Sequence, residues 1–284
     1  MAEKYICLNG SYIKADKPVL ESKNRSFLYG DGLFETIHAN GTEPQFIERH
    51  LKRLLEGMKQ LKMVIPGYFT TDYFIRHLKG VLTRNKQFQG ARVRITVFRN
   101  NGGLYTPGTN DMSFVIESTL LEHDTYRLNQ KGYQIDVYQD MTKPVYPLSA
   151  VKTTSALLFV LAGIFRSENN LDECILLNQS KRICESISSN VFIVKGDRYY
   201  TPSLGEGCLP GIMRQVIIEI IQKEGFHLYD DCTLTVNDML NSDEIFLTNA
   251  ISGIRWVVAF RQKRYYNKSS KFLIKKLNEI AFGV

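Results

Sequence analysis

The chain opens with a hydrophobic period of two that gives way to a period of three to four, and each change of period marks a change of element. Tyr5-Ile-Cys-Leu8 and Tyr12-Ile13 flank Asn9-Gly10, a dipeptide that accepts the positive φ angles of a tight turn, which predicts an opening β-hairpin. A second hairpin is expected from Leu33–His38, Asn40-Gly41 and Gln45-Phe-Ile47. Leu51, Leu54, Leu55, Met58 and Leu61 then fall on one helical face before Pro66-Gly67, and Phe74, Ile75, Leu78, Val81 and Leu82 define a second helix over 71–84. Val93, Ile95 and Val97 alternate with Arg92, Arg94 and Thr96 as a strand with one wet face. Residues 112–117 are its expected antiparallel neighbour across Asn100-Asn-Gly-Gly103.

From Ser118 to Lys131 the pattern is polar and aperiodic, which marks a linker. Beyond it the spacing predicts strands at 133–138, 174–177, 191–194, 244–247 and 256–260. Helices are expected within 149–165, at 212–223 and at 269–280, and Glu185 falls in a short polar cluster between two strands. The expectation is an α/β chain in two parts, residues 1–118 and 132–284, joined by 119–131. No internal repeat or low-complexity segment interrupts it.

With 284 residues, 44% hydrophobic and 23% charged, the chain is too apolar to stay disordered. Its longest nearly unbroken apolar run, 156–165, is too short to span a bilayer, and the first residues carry no charged-then-apolar leader pattern. A soluble, cytoplasmic protein with no membrane partner is therefore expected. Five scattered cysteines form no C-x-x-C pair, so they read as free thiols and no metal site is expected. The net charge of +7 is concentrated at the end of the chain. Seven basic residues from Arg261 to Lys276 face only Glu279, which leaves the first 260 residues nearly neutral. A non-catalytic basic protein that binds nucleic acid through this tail is the alternative; a solvated face with no nucleic-acid partner is the preferred reading.

Four places suggest chemistry. Leu209-Pro-Gly-Ile-Met-Arg-Gln215 runs from a loop into a helix, and the N–H groups of Ile212 and Met213 at that helix start would suit a phosphate; a simple chain turn is the ordinary alternative. Lys152 borders an apolar stretch where a partly desolvated amine could attack a carbonyl, although a snorkelling lysine is the commoner explanation for such a position. Glu185 could hold a protonated ring nitrogen or serve as an acidic turn residue. Arg53, beside the apolar stripe of the first long helix, could grip a phosphate or lie on the surface. No G-x-G-x-x-G or Walker motif is present, no His-x-x-x-His pair offers metal ligands, and a Ser-His-Asp site finds no support.

In order along the chain stand Tyr29-Gly-Asp-Gly-Leu-Phe-Glu-Thr36, His50-Leu-Lys-Arg-Leu54, Lys152 heading an apolar helix, Glu185-Ser-Ile-Ser-Ser-Asn190, Leu209-Pro-Gly-Ile-Met-Arg214 and Glu244-Ile-Phe-Leu-Thr-Asn-Ala250. This series resembles the class IV aminotransferase family, pyridoxal-phosphate enzymes of fold type IV, over about residues 5–260. The resemblance implies a small N-terminal α/β domain and a larger C-terminal domain with a barrel-like sheet that clamp the cofactor, in a homodimer. It implies that Lys152 forms the Schiff base with pyridoxal 5'-phosphate and shuttles the α-proton, and that Glu185 pairs with the pyridine nitrogen. Arg53, Ile212 and Met213 would hold the phosphate, Leu209 would pack on the ring, and Ala250 would lend backbone to the phosphate cup. Phe34, Arg99 and Tyr105 are the implied substrate-side candidates, with Phe34 and Leu104 favouring apolar or aromatic side chains. Met213 and Ala250 stand where the family often has hydroxyl residues, and Leu157 stands where branched-chain enzymes carry tyrosine. Transamination of an amino acid to a keto acid is the implied activity. The alternative is 4-amino-4-deoxychorismate lyase, which eliminates pyruvate to leave 4-aminobenzoate; the Asn249-Ala250 pair and the Gly102-Gly103 loop look more like that branch.

Overall fold

A computed structural model describes residues 4–284. The chain divides into two compact units: one comprises residues up to Thr125 together with Val151–Ala156, the other Tyr126–Ala150 and Leu157–Val284.

In the first unit the elements run β1 (Tyr5–Leu8), β2 (Ser11–Lys14), α1 (Arg25–Tyr29), β3 (Gly32–Asn40), β4 (Glu43–Pro44), α2 (Ile47–Gln60), α3 (Thr71–Arg84), β5 (Ala91–Arg99) and β6 (Met112–Leu120). Its sheet has the order β2-β1-β6-β5-β3-β4 and every pairing is antiparallel. The opening hairpin forms with Asn9 at φ 48° and Gly10 at φ 89°, as an Asn-Gly turn requires. The expected return strand at Gln45–Ile47 does not form. β4 is only two residues long, Phe46 turns left-handed at φ 54°, and Ile47 begins α2 with its side chain buried on the helix's apolar face. α2 and α3 pack their apolar stripes on one face of the sheet, so the opposite face of β3 and β5 presents Phe34 and Arg94, in contact with each other.

The second unit contains β7 (Tyr133–Lys143), α4 (Leu157–Glu168), β8 (Glu173–Asn178), β9 (Ile183–Ser186), β10 (Asn190–Lys195), β11 (Arg198–Pro202), α5 (Ile212–Lys223), β12 (His227–Cys232), α6 (Val236–Leu240), β13 (Glu244–Asn249), β14 (Gly253–Phe260), β15 (Lys263–Arg264) and α7 (Lys268–Phe282). The sheet order is β12-β11-β10-β13-β14-β7-β8-β9, with β15 on β14, and parallel and antiparallel pairs are mixed. The sheet curls until β9 comes back against β10, which gives the barrel-like form. Ile135, Val137, Ile175, Ile183, Val191 and Ile245 fill its apolar core. α5 and α7 pack together and cover β13 from outside.

Two expectations are corrected here. Glu185 is not in a turn: it lies within β9, paired with Leu176 of β8, and is buried. Lys152 does not head the apolar helix, because α4 begins only at Leu157 and Lys152 belongs to a segment that pairs with the first unit. All five cysteines are free thiols. Among the described residues no helix is long and apolar enough to cross a membrane, and no His, Cys, Asp and Glu cluster could hold a metal ion.

Candidate active site

In the first unit, the Gly30-Asp-Gly-Leu-Phe-Glu motif forms a bed for the lysine segment. Gly30, left-handed at φ 66°, ends α1, and a side chain there would meet Ser155 at 3.0 Å. At Gly32 a Cβ would lie 2.8 Å from the Val97 carbonyl, so only glycine lets the backbones approach. Residues 152–154 settle on this bed: Phe34 N–H donates to the Lys152 carbonyl at 2.9 Å, and Thr154 N–H donates to the Gly32 carbonyl at 2.9 Å. Thr154 Oγ1 closes the seat by donating to the Gly30 carbonyl. Backbone pairing thus fixes where Lys152 stands, and its Nζ rests 4.5 Å from the centroid of the Phe34 ring.

Beneath this segment a buried charge cluster orients Arg53. His50 and Arg53, one helical turn apart on α2, both reach Glu35 on β3. Arg53 grips the carboxylate with two bonds, Nε to Oε1 at 2.7 Å and Nη2 to Oε2 at 2.6 Å, and His50 Nδ1 donates to Oε2 at 2.7 Å. Burial would raise the Glu35 carboxyl, but the charges of Arg53 and His50 and their hydrogen bonds hold it down at about 2. Burial lowers His50, against the opposing pull of Glu35 and helped by the charges of Arg53 and Lys152. A carboxylate oxygen can only accept, so Nδ1 is the ring nitrogen that carries the hydrogen in this contact.

Arg94, which the sequence places on a wet strand face, carries more chemistry than that. Its guanidinium lies 3.7 Å from the centroid of the same Phe34 ring that carries Lys152. Burial and then the charge of Arg92 lower it, while Glu117 stands 3.9 Å from Nε and pulls the other way. Nε donates to Thr96 Oγ1, and among the described residues the terminal nitrogens have no hydrogen-bond partner. The signal was present in the alternation: Phe34 pairs with Thr96, which puts Arg94 two residues along on the same face.

The expected substrate-side residues separate. Phe34 lies beside Lys152. Arg99 is buried and engaged at each nitrogen, Nε to Asp31, Nη1 to Asn110 Oδ1 and Nη2 to the Leu61 carbonyl. That makes it a strut for the loop that follows β5. Tyr105 stands in that loop, 89% exposed, tilted against Tyr29, and Leu104 beside it is also exposed. A cleft of about 320 Å³ opens there between Arg25, Asp31, Arg99 and Tyr105. Arg25 completes the cleft by donating to Asp31 and to the Leu104 carbonyl.

In the second unit, Glu185, Leu209, Gly211 and the start of α5 form one connected arrangement. Glu185 Oε2 accepts the Leu209 N–H at 2.8 Å, and its Oε1 accepts a bond from Lys143 Nζ, with both side chains buried. Asn190 Nδ2 donates to the Leu209 carbonyl at 2.8 Å. Two residues on, Gly211 is the N-cap of α5 and brings no side-chain acceptor to the first turn, so the amides of Ile212 and Met213 are uncapped donors at the positive end of the helix. A Cβ on Gly211 would fall 1.9 Å from Asn190 Oδ1. Asn249 Oδ1 accepts from the N–H groups of Ile251 and Ser252 and its amide reaches Ser189, so the turn after β13 is held from inside. Half-buried Ala250 opens that turn, and its carbonyl accepts from Tyr126. Burial pushes the Cys184 and Cys208 thiols up to about 12 and about 11, so neither offers a thiolate beside Glu185.

Sequence reasoning missed Lys143 altogether. It stands at the end of β7 opposite Asn178, whereas Glu185 is paired with Leu176, two residues earlier on β8. Between Tyr138 and Lys143 the register with β8 slips, so three extra residues enter β7. That odd number turns Lys143 to the face of the sheet that carries Glu185. No local pattern announces such a slip.

A family model described as amino-transferase class IV matches residues 32–260, a span that contains Phe34, Glu35, Arg53, Lys152, Glu185, Gly211 and Ala250. The chain belongs to the class IV aminotransferases. This class IV enzyme is 29% identical over 275 residues to a putative branched-chain-amino-acid aminotransferase of Methanocaldococcus jannaschii, which covers 96% of this chain and 94% of the relative. It is 26% identical to an aminodeoxychorismate lyase of Vibrio harveyi, over 81% of this chain and 83% of that one. In fold it is similar to the branched-chain aminotransferase from Thermoproteus uzoniensis solved with norvaline, with a TM-score of 0.88 at 20% identity, over 99% of this chain and 96% of that one. A 4-amino-4-deoxychorismate lyase structure from Legionella pneumophila gives 0.84 at 23% identity, over 93% and 96% of the two chains.

Proposed function

We propose that this class IV enzyme transfers an amino group between an amino acid and a keto acid with pyridoxal 5'-phosphate as cofactor, as a cytoplasmic homodimer. The observation that carries the reading is the continuity of Glu185, Leu209 and Gly211 in the second unit. One short stretch bonds a buried carboxylate at one end and opens an uncapped helix at the other. A pyridine ring that bears a phosphate asks for both features: an anion for its ring nitrogen and amide donors for its phosphate. Gly211 fits the same demand, since it leaves the helix start without a side chain of its own, and a Cβ there would collide with Asn190 Oδ1.

When bound, the cofactor supplies an aldehyde for a lysine amine and an electron-withdrawing ring. Lys152 is the residue proposed to bond it and then to move the substrate's α-proton through Nζ. Its backbone pairing with Gly32 and Phe34 keeps the amine in place during that transfer. Glu185 takes the ring nitrogen. Ile212 and Met213 amides, Arg53 and the turn at Ala250 take the phosphate, with Glu35 and His50 orienting Arg53. Half-buried Leu209 offers an apolar surface to the ring. Arg94 is the group proposed for a substrate carboxylate, because its terminal nitrogens are presented on the Phe34 ring beside Lys152.

The similarity to branched-chain aminotransferases, together with the apolar ring of Phe34, supports apolar amino acids as donors. The test offers a panel of amino acids with 2-oxoglutarate and measures glutamate; no glutamate from any donor would remove transamination. A second reading is supported by the lyase relatives from Vibrio harveyi and Bacillus subtilis. It is pyruvate elimination from aminodeoxychorismate, and pyruvate release in a parallel assay would select it.

A further inference from the structure

The second unit buries two charged side chains in contact where the proposed function uses only one. Lys143 and Glu185 are each less than a tenth exposed in their side chains, and the ammonium bonds the carboxylate oxygen that Leu209 leaves available. Lys143 is otherwise confined. The Ser149 carbonyl lies 3.5 Å from its Nζ, the Phe159 ring 5.7 Å away, and the loop beyond it is closed by Ser149 Oγ donating to the Pro144 carbonyl. The other ionisable groups near the pair are the Cys184 and Cys208 thiols, Glu206 and Arg214. Glu206 is already engaged by Arg182 and Asn178, and Arg214 by the Pro202 and Asp230 carbonyls. Lys143 is therefore the cation that governs Glu185.

We infer that Lys143 is a positioning residue that shares the Glu185 carboxylate with the cofactor's ring nitrogen and so weakens the hold of that carboxylate on the ring-nitrogen proton. The inference rests on the proposed function, in which Glu185 faces that nitrogen. A lone buried carboxylate stabilises a protonated pyridine strongly; one already neutralised by an ammonium does so less, since the ammonium repels the new positive charge. Lys143 also fixes the carboxylate's rotation, because the two oxygens are bonded from different directions, by a side chain on β7 and by the backbone at Leu209. The ring nitrogen is thus set to give up its proton at lower pH than Glu185 alone would dictate. That tunes how far the ring draws electrons from the reacting carbon.

The test follows an isotope-labelled ring nitrogen by NMR against pH in cofactor-loaded wild type, Lys143→Met and Lys143→Arg. Lys143→Met removes the charge at similar length and is expected to move the ring-nitrogen titration up by about one pH unit or more. Lys143→Arg keeps the charge and is expected to titrate as wild type does. Should Lys143→Met not take up cofactor, Lys143→Gln carries the same comparison with a neutral donor. An unchanged titration in the loaded neutral variant overturns the inference. So does failure of both neutral variants to fold while Lys143→Arg behaves as wild type, which would make the lysine a purely structural ion-pair partner. Failure of the wild-type chain to bind pyridoxal phosphate overturns the proposed function itself, which separates the two failures.

Discussion

Replacing Glu35 by Gln removes the anion that holds Arg53 and His50, and its cost should depend on pH in a defined direction. In the folded chain the Glu35 carboxyl is held at about 2, against 4.5 for an unperturbed carboxyl. A carboxyl displaced by that much contributes on the order of 3 kcal/mol of stability at neutral pH. Because the folded value is the lower one, the contribution is fully present above 4.5 and is lost as pH falls from there towards 2. The variant also leaves Arg53 facing a neutral amide in a buried setting, and breaking one side of such a pair costs about 3–5 kcal/mol. Glu35→Gln is therefore expected to lose about 3 kcal/mol or more near pH 7, with the gap to wild type narrowing as acid is added below 4.5. Urea unfolding of both proteins at about pH 7 and about pH 3, with matched m values, measures this directly. A gap below about 1 kcal/mol at neutral pH, or one that stays constant into acid, would refute the assignment of Glu35 as a buried anion clamped by Arg53.

Gly211→Ala places a methyl 1.9 Å from Asn190 Oδ1, so Asn190 must give up its bond to the Leu209 carbonyl. The loss of one buried hydrogen bond, about 1–3 kcal/mol, should weaken pyridoxal-phosphate binding some tenfold or more; fluorescence titration with unchanged affinity would remove Gly211 from the phosphate cup. Neutralising Lys271, Lys275 and Lys276 together should leave turnover intact, because the described partners of Lys276 are Glu224 and Glu279 and none of the three is placed in the site. A large fall in kcat in that triple variant would show that the basic helix has a catalytic part.

How much of this was legible in the sequence varies from element to element. α3 and α5 follow their apolar periodicity from first residue to last, because Thr70 and Gly211 bound them with recognisable helix starts. β12 escaped notice because its alternation, Leu228 and Asp230 against exposed His227 and Tyr229, gives a weak apolar signal on the edge strand of its sheet. Lys152, Glu185, Arg53 and the helix start at Ile212 were visible as residue types and order. What each rests against was not. The seat of Lys152 depends on backbone bonds to residues about 120 positions earlier, and periodicity carries no information about pairing at that range. Lys143 depends on a slip in strand register, and Arg94 on the ring it shares with Lys152.

The most direct measurement is borohydride reduction of the protein loaded with pyridoxal phosphate, followed by peptide mass analysis. It should fix the phosphopyridoxyl group on Lys152, with loss of the visible absorption band and no label on Lys143. A protein that takes up no cofactor, or one labelled on Lys143 in place of Lys152, would contradict the assignment of Lys152 as the amine that bonds the cofactor.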